Sequence, residues 1–119
     1  MGAKSRASIP EAMRRALRTR LEAHAAARWA DRCRSIAVRF RGAYAYIDAF
    51  ASEELRGEGD SEIPIHLCRL GYLGHPDRWT FAFLKYSDEV YEPSVVLSGA
   101  LEATPEEAFD CAATVYLST

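Results

Sequence analysis

The chain has 119 residues and a mass of 13.3 kDa, the size of one domain with little room for a second core. With 49% hydrophobic and 27% charged residues it is expected to fold, which excludes wholesale disorder. No run approaches the roughly 20 apolar residues that span a bilayer, and MGAKSRASIPEAM lacks the apolar core of a secretory signal, so a cytoplasmic protein without membrane association is expected. The net charge of -2 conceals a division. Through Arg41, eleven basic residues face only Glu11, Glu22 and Asp31, a balance of +8; from Gly42 onward four basic residues face fourteen acidic ones, a balance of -10.

Residues 1–7 read as a mobile tail, and 8–119 as one domain. Ser8-Ile9-Pro10-Glu11 has the form of a capping box, and the following run is rich in Ala, Leu and Arg without Gly or Pro, which predicts a helix continuing to about Arg34. Ile9, Met13, Leu17, Leu21, Ala25 and Trp29 form one apolar stripe. At about 26 residues such a helix is roughly 39 Å long, enough to reach beyond one globule and leave part of its stripe needing a partner. From Ile36 the period changes to two. Ile36, Val38, Phe40, Tyr44 and Tyr46 share a parity in one long strand, with Arg39 and Arg41 opposite and Gly42 as a bulge. A polar connection near 51–62 follows, and then a strand in IPIHLCRLGYLG. His75-Pro76-Asp77-Arg78 fits a turn into the strand WTFAFLKYS, an antiparallel hairpin. A short strand around Val95 to Leu97 precedes Thr104-Pro105-Glu106-Glu107, a second helix start, after which Phe109, Ala112, Ala113 and Tyr116 form the packing face.

The fold class implied is α+β: a three- or four-stranded, mainly antiparallel sheet packed with a long N-terminal and a short C-terminal helix. Its element order is similar to that of double-stranded-RNA-binding domains, which also run helix, three strands, helix. Such domains present lysines at the start of the last helix, whereas this chain presents Glu106 and Glu107, which repel phosphate.

Chemistry-bearing motifs are sparse. Cys33, Cys68 and Cys111 have no CxxC relation and read as reduced, mostly buried thiols. His24, His66 and His75 have no metal-ligand spacing, and Asp48, Asp88, Glu89 and Glu92 read as solvated charges. Phosphate-loop, dinucleotide and nucleophile-elbow signatures are absent, so the reading is of a non-catalytic domain holding no metal and no cofactor.

Two residue sets carry the functional expectation. The candidate interaction residues are Arg14, Arg15 and Arg18 on one helical side, Arg28 and Arg32 at four-residue spacing, and Arg39 and Arg41 on one strand face. The candidate pocket or stacking residues are His66, Arg69, Tyr72, Trp79, Lys85 and Tyr86, from a wider aromatic set that includes Tyr44, Tyr46, Phe81 and Phe83, most of them expected in the core. The leading expectation is a protein-interaction domain that self-associates as a homodimer or meets an acidic protein partner, its arginines selecting carboxylates. Two alternatives stay open: a nucleic-acid-binding module using the basic helix and the sheet aromatics, and an enzyme or small-ligand domain with a pocket near His66, Arg69, Tyr72 and Lys85.

Overall fold

The computed structural model describes residues 8–52, 63–85, 90–94 and 99–117. In chain order its elements are α1 (Glu11–Arg28), β1 (Cys33–Arg41), β2 (Tyr44–Ala51), β3 (Ile65–His75), β4 (Arg78–Lys85), β5 (Val90–Ser94), β6 (Glu102–Ala103) and α2 (Pro105–Tyr116). Strands β1 to β5 lie side by side in chain order, each antiparallel to the next, and β6 pairs with the start of β4. This is the α+β fold expected, with more strands than expected. The tail 1–7, the strand near Val95 to Leu97 and most of the polar connection lie outside the described residues. Of that connection, Ala51 ends β2, and Ser52 is buried, donating from its backbone N–H to the Arg32 carbonyl and from Oγ to the Asp31 carbonyl.

Helix α1 departs from expectation at both ends. Pro10, not Ser8, holds the cap position and makes no side-chain cap bond. The lead-in is fixed by tertiary contact instead: Ile9 is buried, and its N–H donates to the Gly42 carbonyl. At the other end the chain leaves the helix after Arg28. There the Trp29 indole donates to Asp110 Oδ1 at 2.9 Å, and Cys33 enters the sheet as a buried residue. These contacts override a helix propensity that favours continuation. The apolar stripe is covered within the chain: Leu17, Leu21 and Ala25 are buried, and Met13 and Trp29 pack against the same core.

The segment read as one long strand is a hairpin. Arg41 pairs with Tyr44, Phe40 with Ala45, Val38 with Ile47 and Ile36 with Ala49, so the turn is Gly42-Ala43, with Gly42 at φ 59°, a conformation that favours glycine. Cross-strand partners share a face. From Ile36 onward, even-numbered residues of β1 and odd-numbered residues of β2 therefore face the helices together, while a bulge before Ser35 turns Cys33 inward. Tyr44 and Tyr46, expected beside Phe40, stand instead with Arg39 and Arg41.

Both helices pack on this one face. Leu17 and Leu21 of α1, Phe109 and Ala112 of α2, and Val38, Ile47, Leu70 and Phe81 of the sheet share one buried cluster. Helix α2 begins as its sequence predicts. Thr104 Oγ1 accepts from the Glu107 N–H at 3.1 Å, and Glu107 Oε1 accepts from the Thr104 N–H at 3.0 Å, which satisfies two groups the helix end would leave orphaned. Cys33, Cys68 and Cys111 are free and buried. Burial, reinforced by Cys111 and Asp48, pushes the Cys68 thiol far above its ordinary pKa.

Candidate functional site

Among the described residues no helix covers the other face of the sheet, and its register sets side chains in rows. One row reads Arg39, Tyr46, Arg69, Ala82 and Pro93 across β1 to β5; the next holds Arg41, Tyr44, Gly71 and Thr80; a third brings Ala37, Asp48 and His66 together. Six of these residues, Arg39, Arg41, Tyr44, Tyr46, His66 and Arg69, are cationic or aromatic groups that period-two alternation places out of the core.

Tyr46 and Tyr91 meet edge to face, with ring centroids 5.2 Å apart. Strands β2 and β5 are three strand spacings apart, roughly 14 Å, so the rings lean toward each other over β3 and β4. Ala82, flanked by Arg69 and Pro93 in its row, is 3% exposed on a face without helices. The Arg69 guanidinium carbon lies 4.2 Å from the Tyr44 ring centroid and 5.6 Å from that of Tyr91, and Arg39 lies 5.3 Å from that of Tyr46. These are cation–π distances.

Asp48 anchors the arrangement. Sequence alone reads it as a solvated charge, but its side chain is 7% exposed, with Oδ2 accepting from Arg39 Nε at 3.1 Å and Oδ1 lying 2.8 Å from His66 Nδ1. A buried carboxylate needs such partners, and the fold supplies them from β1 and β3 on either side of β2. Burial works against the Arg39 charge. The hydrogen bond and charge of Asp48, with the Tyr91 hydroxyl, outweigh it and hold the guanidinium pKa above its ordinary value.

On the helix-covered side of β1, Phe40 brings basic residues of α1 to the free edge of that strand. The Phe40 ring takes the guanidinium carbons of Arg18 at 5.3 Å and Arg14 at 6.0 Å, and Arg18 donates to the Val38 carbonyl at 3.4 Å. Phe40 also lines a cleft of about 420 Å³ with Arg39, Arg41, Tyr46 and Tyr91. Arg14 and Arg18 thus lie on one side of the β1 edge, with Arg39 and Arg41 on the other. Arg41 is exposed, and its side chain has no hydrogen bond or ion pair among the described residues.

The other candidates are distributed differently. Arg15 is exposed near Glu11. The helical pairing of Arg28 with Arg32 does not form, because α1 ends at Arg28 and Arg32 lies in the following turn. His66 and Arg69 stand on the uncovered face, but Tyr72 and Trp79 pair on the helix-covered one. Trp79 is 1% exposed and donates its indole N–H to the Pro76 carbonyl, which makes it a core residue and removes it as a stacking platform. Lys85 ends β4, and Tyr86 lies outside the described residues. Tyr91 and Phe40 were missed as site residues. Tyr91 sits on a strand only five residues long, two positions before Pro93, too weak a pattern to place it.

Among the described residues no three His, Cys, Asp or Glu side chains converge to hold a metal ion, and no helix is long and apolar enough to cross a membrane. The chain finds no match among protein-family models, curated proteins or solved structures. Its function is therefore argued from the site alone.

Proposed function

We propose that this chain is a nucleic-acid-binding module whose binding element is the uncovered sheet face together with the β1 edge. The observation that supports it is the interleaving of Arg39, Arg41 and Arg69 with Tyr44, Tyr46 and Tyr91 on one face. Guanidinium groups bind phosphate oxygens through charge-assisted, geometrically matched hydrogen bonds, while tyrosine rings and guanidinium planes offer flat surfaces to bases. The chain's net charge of -2 does not oppose this, since at physiological salt an exposed charge is felt over about 8 Å and the local field is that of the arginines.

The self-associating interaction domain draws on the same arginines, with carboxylates of a second copy in place of phosphate. Two observations favour phosphate. Among the described residues, Asp48, Asp77, Glu102, Glu106, Glu107 and Asp110, six of the fourteen acidic residues from Gly42 onward, hold partners within their own chain and are less open to a second copy. Edge pairing of two copies through β1 would also set Arg39 and Arg41 close to their own counterparts.

Fluorescence anisotropy with a labelled pool of single strands and duplexes tests the reading at about 50 and 500 mM salt. Binding at low salt that is lost at high salt is expected. Arg41→Ala should weaken it across sequences and flatten the salt slope by about 0.7 to 0.9, while Arg28→Ala, remote from the face, leaves it unchanged. No binding at low salt, with a salt-weakened dimer in sedimentation velocity, would overturn the proposal in favour of self-association.

A further inference from the structure

Resting on the nucleic-acid reading above, we infer that the ligand of this face is a single strand, with one nucleotide splayed into the cleft between β1 and β5 and the backbone continuing over the β1 edge. The first ground is shape. Five strands at their usual spacing make a surface about 19 Å wide, whereas the major groove of a DNA duplex is about 12 Å wide and admits a helix or a two-stranded ribbon. The sheet face cannot enter it. The helices that might enter lie on the opposite side, and α2 opens with Glu106 and Glu107, of which Glu106 is already joined to Arg20.

The second ground is the chemistry of the cleft. A duplex shows this face only phosphates, which would engage the arginines and leave the tyrosines without a role. An unpaired strand presents base faces as well. The cleft lined by Arg39, Phe40, Arg41, Tyr46 and Tyr91 has a volume of about 420 Å³, within the range of small-ligand sites and suited to one flipped nucleotide. A base against Tyr46 and Tyr91 places its phosphate beside Arg41, a guanidinium with no side-chain partner among the described residues.

The third ground is continuity. Phe40 is shared by the cleft and by Arg14 and Arg18, so cationic groups line both sides of the β1 edge. Arg14, whose Nη2 holds Glu11 Oε1 at 2.9 Å, and Arg18 keep this positive charge at the edge, where a backbone phosphate passing over it is attracted. The bend around Phe40 is one that a flexible single strand makes at little cost, and a stiff duplex does not.

The test compares the full chain binding 5′-labelled oligothymidylate and oligouridylate of about 12 nucleotides with DNA and RNA duplexes of the same length. The duplexes carry twice the phosphate, so non-specific attraction works against the expected result. Single strands should bind roughly tenfold or more tightly than duplexes, with a salt slope near -0.7 per phosphate engaged. Tyr91→Leu should weaken single-strand binding roughly tenfold and duplex binding little, and Tyr91→Phe, which keeps the ring, should retain most of it. Arg41→Ala, at an exposed position, checks the same cleft without risk to the fold. Duplex binding as tight as single-strand binding, or a Tyr91→Leu chain that binds single strands like the parent, would overturn the inference and leave the broader proposal standing. Absence of binding to all four probes would overturn both.

Discussion

The two faces of the sheet use the same alternation to opposite ends. On the helix-covered face, Val38, Ile47, Leu70 and Phe81 meet Leu21 and Phe109 in a closed apolar cluster, where hydrophobic burial of roughly 1.5 to 3 kcal/mol per large side chain holds the fold. On the uncovered face, Arg39, Tyr46, Asp48, His66, Arg69 and Tyr91 are held by hydrogen bonds and cation–π contacts, and apart from those of buried Asp48 these lie in a partly solvated setting where each contributes little to stability. The difference teaches where to look for function. A face that the helices leave uncovered, yet that fixes its arginines and tyrosines in place, has its geometry set by something other than core formation.

Substitutions on the two faces should separate stability from binding. The largest loss is expected for Phe109→Ala, which empties a position that is 1% exposed between α2 and the sheet; about 3 to 5 kcal/mol should be lost in urea unfolding, and binding should fall only as the folded fraction falls. Asp48→Ala lies on the other face but is buried, and losing its bonds to Arg39 and His66 should cost about 1.5 to 3 kcal/mol by the same measurement. An effect within about 0.5 kcal/mol would mean that Asp48 organises nothing.

Alkaline pH probes the covered face through Cys68. Its folded-state pKa is raised well above the ordinary value of 9.0, so below about pH 9 both states hold the proton and its contribution is fully present. As pH rises above 9 the unfolded chain releases the proton and the folded chain keeps it. Stability should then fall by about 1.4 kcal/mol per pH unit from this group, and Cys68→Ala should flatten that slope. Thr104→Ala removes the cap of α2 and should cost about 1 kcal/mol in thermal unfolding. The smallest stability effect belongs to Arg41→Ala, within about 0.5 kcal/mol, and the comparison between the faces is sharpest there, because that substitution should still weaken nucleic-acid binding.

Local signals were legible where the residues that form an element also decide its limits. The capping box at Thr104 and Glu107, the turn at Pro76-Asp77 and the stripe from Ile9 to Trp29 are each read from a few neighbouring residues, and each stands in the structure. The C-terminal limit of α1 was not legible. Its last turns have good helix propensity, and what ends them is a bond from Trp29 to Asp110, a partner 81 residues away.

The candidate site was legible in its ingredients and hidden in its placement. Arg39, Arg41, Tyr44, Tyr46, His66 and Arg69 were all singled out from the sequence, but a continuous strand would have put the tyrosines in the core and the arginines outside it. A two-residue turn at Gly42-Ala43 reverses that, because closing the chain there pairs Phe40 with Ala45 and shifts the inward set by one residue. Tyr91 and Asp48 became part of the site only through tertiary neighbours: Tyr91 reaches Tyr46 over the strands between, and Asp48 is buried between Arg39 and His66. The sequence by itself determined the α+β class, the apolar stripe and the charges available to a partner, since periodicity and composition are local properties of the chain. Which tyrosines meet which arginines was decided by tertiary structure, because strand register and helix coverage depend on residues far apart in sequence.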